Sequence, residues 1–174
     1  MSLLRLLGLK DDTPADPVAE TETVRRIARK LEVMEPERAR FVAAFAYILS
    51  RVAGADSHFS DSEVAEMERI VADHSQVPPE QAALIVAMAK QHQVMFGGTE
   101  DFLVTREFER IATTEQRLAL IDCLYAVAAA EHFVSVVEDN EIRRIADQLR
   151  LSHQDWIGVR VRYQDRLAVL QKPV

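Results

Sequence analysis

ADSHFSDSEV, residues 55–64, returns in edited form as AEHFVSVVEDNE, residues 130–141, at an offset of 130 − 55 = 75 positions. At that offset Ala55, Asp56, Ser60, Glu63, Glu66, Arg69 and Ile70 stand opposite Ala130, Glu131, Ser135, Glu138, Glu141, Arg144 and Ile145. The copy continues upstream, where Phe45, Ile48, Leu49, Val52 and Ala53 stand opposite Leu120, Cys123, Leu124, Val127 and Ala128. Apolar residues three and four apart on both sides of a polar turn describe a helix, a loop and a second helix. The repeat units are therefore helix-loop-helix pairs over about 36–75 and 111–150, and their similarity predicts a pseudo-twofold arrangement.

The rest of the chain agrees with a helical fold. Its 174 residues are 48% hydrophobic with only 5 Gly and 6 Pro, enough for one domain with a real core. Aromatics are few at 6%, and Ala, Leu, Glu and Arg dominate, as in helical proteins. The expected fold is all-α, a single-domain bundle of about seven or eight helices. Residues 1–16 read as an apolar segment and a polar, proline-marked linker, and 17–174 as the helical domain. Within it, a first helix runs from Pro17 to about Val33. MEPERARFVAAFAYILSRVAGA gives a second, nearly buried one, with a proline near its start and Gly54 near its end. A third begins at Ser60 and ends near His74, and a fourth runs from PPEQ to a break at Gly97-Gly98. TEDFLVTREFERI is a further short helix, TTEQRLALIDCLYAVAAAEH and SVVEDNEIRRIADQLRL form the second repeat, and SHQDWIGVRVRYQDRLAVL closes the chain as one helix.

Charge is uneven. Residues 55–141 carry 5 basic and 17 acidic groups, a balance of −12, against +1 before them and +4 after. A phosphate backbone is repelled by such a region, so no nucleic-acid partner is expected, while cations or a basic protein surface suit it. The one cysteine, Cys123, excludes an internal disulfide and fits a buried thiol in a reducing compartment. No run reaches the length of a membrane span, and MSLLRLLGLKDD lacks a cleavage pattern, so the expected location is cytoplasmic. That opening suits a short amphipathic foot on a membrane, partner or neighbouring subunit. Nine residues bind lipid only weakly, and packing as a helix is the preferred reading.

The repeated acids have two readings. Ser60-x-x-Glu63 and Ser135-x-x-Glu138 both match the capping box, in which the serine oxygen and the glutamate each satisfy a backbone N–H of the first turn. Capping accounts for neither Asp56 and Glu131, at the negative end of a helix, nor Glu66 and Glu141, one turn beyond the capping glutamates. Acids kept at unfavourable positions invite a hard divalent cation such as Ca²⁺ or Mg²⁺, which takes several oxygen ligands.

These residues resemble the TerB-like domains, all-helical bacterial domains of tellurite resistance that also occur in some membrane-anchored DnaJ-type co-chaperones. The signature of that family is similar to Ala-Asp-Gly, five residues and a Glu, followed by an Ile-x-x-Ile-Ala helix, twice per domain. Ala55-Asp56 with Glu63 matches the first copy. Ala130-Glu131 with Glu138, then Ile142-Arg143-Arg144-Ile145-Ala146 and Leu149, matches the second, and LSHQDW resembles the start of the final helix. The likeness covers roughly residues 20–170. It implies an acidic cluster that binds a divalent cation, a stress-response role and no catalytic activity. Carried over, the metal candidates are Asp56, Glu63, Glu131 and Glu138, with Glu66, Glu141 and His132 as further binding candidates. The chain departs from the pattern at Ser57 and His132, where glycine is expected, and at Glu131, where aspartate is.

Other chemistries find no motif. The five histidines occupy no equivalent repeat positions and form no His-Glu-x-x-His, the loop DSHFSDSE lacks the ligands and glycine of an EF-hand, and no glycine-rich phosphate loop or Gly-x-Ser-x-Gly occurs. An enzyme is not expected. Trp156, Arg160, Arg162, Tyr163 and Arg166 near the end have the composition of a protein interface, although core packing of Trp156 with Val159 and Tyr163, with solvated arginines, is the simpler account. A protein partner is expected and a homodimer is compatible. The alternative to an ion site is a protein-interaction scaffold whose acids only cap helices.

Overall fold

A computed structural model of the chain describes residues 21–29, 31 and 34–171. The apolar opening and linker at 1–16, and the expected start of the first helix at 17–20, lie outside the described residues. Among the described residues seven α-helices follow one another and no strand occurs. They are α1 Glu22–Arg29, α2 Pro36–Ala53, α3 Asp61–Ser75, α4 Pro79–Ile111, α5 Thr114–Ala128, α6 Val136–Gln148 and α7 His153–Arg160. Two 3-10 turns, Val161–Arg166 and Ala168–Leu170, follow α7. None of these helices is long and apolar enough to cross a membrane.

The bundle is built around α2. Its proline lies in the first turn, where a missing N–H costs nothing, and every residue from Val42 to Ala53 is buried. A helix buried on every side must be wrapped by its neighbours. Helices α1, α3, α4, α5 and α6 all pack against it. The second repeat supplies the counterpart, α5, capped by Thr113 and buried at Leu120, Ile121, Cys123, Leu124 and Val127.

Two expectations are corrected. Gly97-Gly98 does not break a helix, because α4 runs through it for 33 residues. Two interior glycines cost about 2 kcal/mol. Val104 and Phe108 beyond them are fully buried, each worth about 1.5–3 kcal/mol, and only an unbroken helix keeps them on the face set by Ala82, Ile85, Val86 and Ala89. The closing segment is not one helix either. It leaves α-geometry after Arg160 because Val134 pairs with it, donating its N–H to Arg166 O at 2.7 Å and accepting from Ala168 N–H at 2.9 Å. That pairing buries Leu167.

Candidate functional site

Both capping boxes are formed, and both glutamates are buried. Glu63 Oε2 accepts from Ser60 N–H at 2.8 Å while Ser60 Oγ accepts from Glu63 N–H at 3.2 Å. In the second copy Glu138 Oε2 accepts from Ser135 N–H at 2.7 Å and Ser135 Oγ from Glu138 N–H at 3.2 Å. The starts of α3 and α6 are thereby fixed in the same way, and the fold brings the two together, with the Glu63 carboxyl close enough to that of Glu138 to act on it. Equivalent residues that touch are what a twofold relation produces.

Two buried carboxyls in contact cannot both be ionised cheaply. Burial drives the Glu138 carboxyl up to about 7, with the Glu63 contact adding to the rise and the Ser135 hydrogen bonds opposing it. One proton between the pair converts repulsion into a hydrogen bond. The pair is thus a clamp between the two repeat units, made of caps turned inward.

The other candidates lie elsewhere. Asp56 is exposed, and its Oδ1 accepts from His58 N–H at 3.0 Å, closing its own turn. The residue between them, Ser57, has φ 68°, in the left-handed region that favours glycine. Glu131 and His132 are exposed, and the part of His132 that is engaged is its carbonyl oxygen, which accepts from Arg166 Nε at 2.8 Å. Of the four carboxylates expected to converge, two do. Among the described residues no three His, Cys, Asp or Glu side chains are placed to hold a metal ion. A four-carboxylate cation site does not fit this arrangement.

Glu66 and Glu141 carry no uncompensated charge. Glu66 pairs with Arg69 at 2.6 Å, and Glu141 pairs with Arg144 at 3.0 Å, the same i,i+3 bridge in each repeat. Glu141 also accepts from Arg51 Nε at 3.0 Å. Arg51 is the residue that sequence reasoning missed. It is buried within α2 and donates further to Asp101 O at 3.2 Å and Gln148 Oε1 at 2.8 Å. Asp101 in turn accepts from Tyr47 Oη at 2.8 Å. Burial raises the Asp101 carboxyl. Burial likewise raises the Tyr47 phenol, with Asp101 adding to it, so the phenol keeps its proton. A second network of the same kind lies on the other side. There Tyr125 donates to Asp139 at 2.8 Å, Asp139 takes Arg160 with both oxygens, and Trp156 Nε1 donates to Tyr125 Oη at 3.1 Å. Arg160 is therefore no solvated arginine.

Arg51 forms part of one wall of an open groove of about 410 Å³ between the end of α2, the middle of α4 and the first turns of α6. A second hollow of about 420 Å³ adjoins it, sharing Gly54, Gln93 and Asp101. Phe59 and Val94 line the second hollow and Val137 the first, while Gln93, Asp101, Asn140 and Arg144 supply polar groups. Gly98 leaves the surface open, since a Cβ there would meet nothing within 4 Å.

The lone cysteine also gains a neighbour that its sequence surroundings lack. His74 Nε2 lies 3.4 Å from Cys123 Sγ. Burial pushes the thiol up to about 12, with Asp122 adding to it, so the pair holds no thiolate at neutral pH.

Residues 42–161, from α2 into the first 3-10 turn and including both repeats, match the family model described as Tellurite resistance protein TerB. No curated protein and no solved structure matches the chain.

Proposed function

The chain belongs to the tellurite resistance protein TerB family, and from that premise we propose that it is a non-catalytic, protein-binding helical module. In this reading the repeated acids hold the two repeats together, and the groove between α2, α4 and α6 receives a protein segment. The observation that carries it is the buried Glu63–Glu138 contact, which commits the best-placed acids to capping and to each other. The groove supports the second half, because its lining combines Val137 with the polar Gln93, Asp101, Asn140 and Arg144, and the adjoining hollow adds Phe59 and Val94. A tellurite-type stress response or a membrane-associated assembly, on the cytoplasmic side, is the proposed setting.

A second reading keeps a divalent cation, and one observation favours it. Glu63 and Glu138 already bring two carboxyls together, so an ion that displaced their proton would find two oxygen ligands in place. The test of the leading reading is a groove variant. Asn140→Trp fills the hollow from an exposed position and leaves the core unchanged. Retention by the wild type and loss by the variant of the same protein partner supports a docking groove. Equal retention by both refutes it.

A further inference from the structure

The outer side of α4 carries one uncharged stripe. Leu84, Met88, Gln91, Met95, Gly98 and Phe102 follow one another at alternating steps of four and three residues, the spacing of a heptad seam, over about 27 Å. Leu84, Met95 and Phe102 are 50%, 61% and 54% exposed, Gln91 and Gly98 are exposed too, and Met88 is half-buried. Val94, 70% exposed, and Ala87 widen the stripe on one flank. The bundle takes the other face of α4, through Ala82, Ile85, Val86, Ala89, Val104 and Phe108. Phe96 and Leu103 lie about 100° further round the helix and do not belong to the stripe.

The stripe is symmetric about the level of Gln93. Leu84 and Phe102 stand nine residues to either side of it, Met88 and Gly98 five, and Gln91 and Met95 two. An antiparallel copy related by a twofold axis at that level therefore sets each stripe residue opposite another. Leu84 of one copy faces Phe102 of the other, and Gln91 faces Met95 beside the axis. Met88 faces Gly98, where an added Cβ would meet nothing within 4 Å, and its flexible thioether can fill that space. On the flank Val94 meets its own copy. Glu80 and Arg106, thirteen residues to either side, bring opposite charges to the same level at both ends, and no charged residue lies on the stripe itself.

We propose that a second copy of this chain docks on the stripe, α4 against α4 and antiparallel, to make a twofold dimer. A strip about 27 Å long and roughly 10 Å wide covers on the order of 300 Å² per copy, less than the roughly 800 Å² of a stable interface. The dimer is therefore transient, and it populates on the order of 100 μM and above. The proposal does not rest on the groove reading. The stripe shares Met95 and Gly98 with the second hollow and leaves Val137, Asn140 and Arg144 outside.

Sedimentation equilibrium of the full chain from about 10 μM to about 1 mM tests it. The average mass should rise with concentration from 19.7 kDa toward twice that value. Val94→Glu and Val94→Lys, both at an exposed position clear of the core, set like charges against each other across the axis. Each should weaken dimerisation by about tenfold or more, and an equimolar mixture of the two should restore it. A monomer at every concentration overturns the proposal. So does a dimer that neither Val94 variant weakens, or one that mixing fails to restore, since Val94 then does not meet its own copy. Asn140→Trp, the groove variant, should leave the mass profile unchanged; loss of the dimer in it moves the contact to the groove and overturns the seam.

Discussion

Replacing Glu138 by Gln should make the protein more stable at pH 8, with a gain of less than about 1 kcal/mol left at pH 5. The Glu138 carboxyl titrates at about 7 in the folded protein against an ordinary value of 4.5. Its folded value is the higher one, so folding takes up a proton between these limits. The wild type therefore loses stability as pH rises from about 4.5 to about 7 and levels off above. The difference of 2.5 units, at about 1.4 kcal/mol each, amounts to roughly 3 kcal/mol. Glutamine keeps the shape, can still accept from Ser135 N–H through its carbonyl, and offers Glu63 an N–H donor in place of the proton. Urea denaturation of both proteins from pH 5 to pH 8 measures the effect, and subtracting one curve from the other cancels the remaining acids and histidines. In a melt the gap at pH 8 corresponds to about 6–12 °C. Glu138→Ala, which loses the cap and leaves a hole, should be destabilised at every pH. Parallel pH profiles for wild type and Glu138→Gln would refute the paired-carboxyl account.

Three further outcomes follow from the same geometry. Arg51→Ala strands Glu141 and Asp101 beside a void within the bundle, and should cost about 3–5 kcal/mol in the urea midpoint. Ser57→Gly relieves a left-handed residue without removing any described contact, and should raise stability by up to about 1 kcal/mol. Cys123 should react with a thiol reagent far more slowly in the native protein than in urea; rapid labelling of the native protein would contradict its burial.

The repeat was legible because both of its signals are local. Capping boxes at Ser60 and Ser135, and apolar spacing before each, need only near neighbours in sequence, and the structure has both. What the sequence hid is long-range. Nothing about Arg51, in an apolar run, announces that it meets Glu141 ninety positions on. Glu66 and Glu141 looked like unfavourable charges, although Arg69 and Arg144 three residues later were the visible clue to their neutralisation. Gly97-Gly98 looked like a stop because glycine propensity is local, whereas the burial of Val104 and Phe108 that overrides it is tertiary. The acidic set divided for the same reason: Glu63 and Glu138 point inward from helix starts, and Asp56 closes a surface turn.

The central claim, that the repeated acids close the two repeats on each other through a shared proton and do not need a cation, is tested most directly by a melt. Chelator-treated wild type and Glu63→Gln/Glu138→Gln would be compared without added ions and with Ca²⁺, Mg²⁺, Mn²⁺ or Zn²⁺ at matched ionic strength. A ligand that binds only the native state raises its melting temperature by mass action. The account predicts no ion-specific shift in either protein. An ion-dependent rise in the wild type that vanishes in the double variant would contradict it and make the pair a cation site.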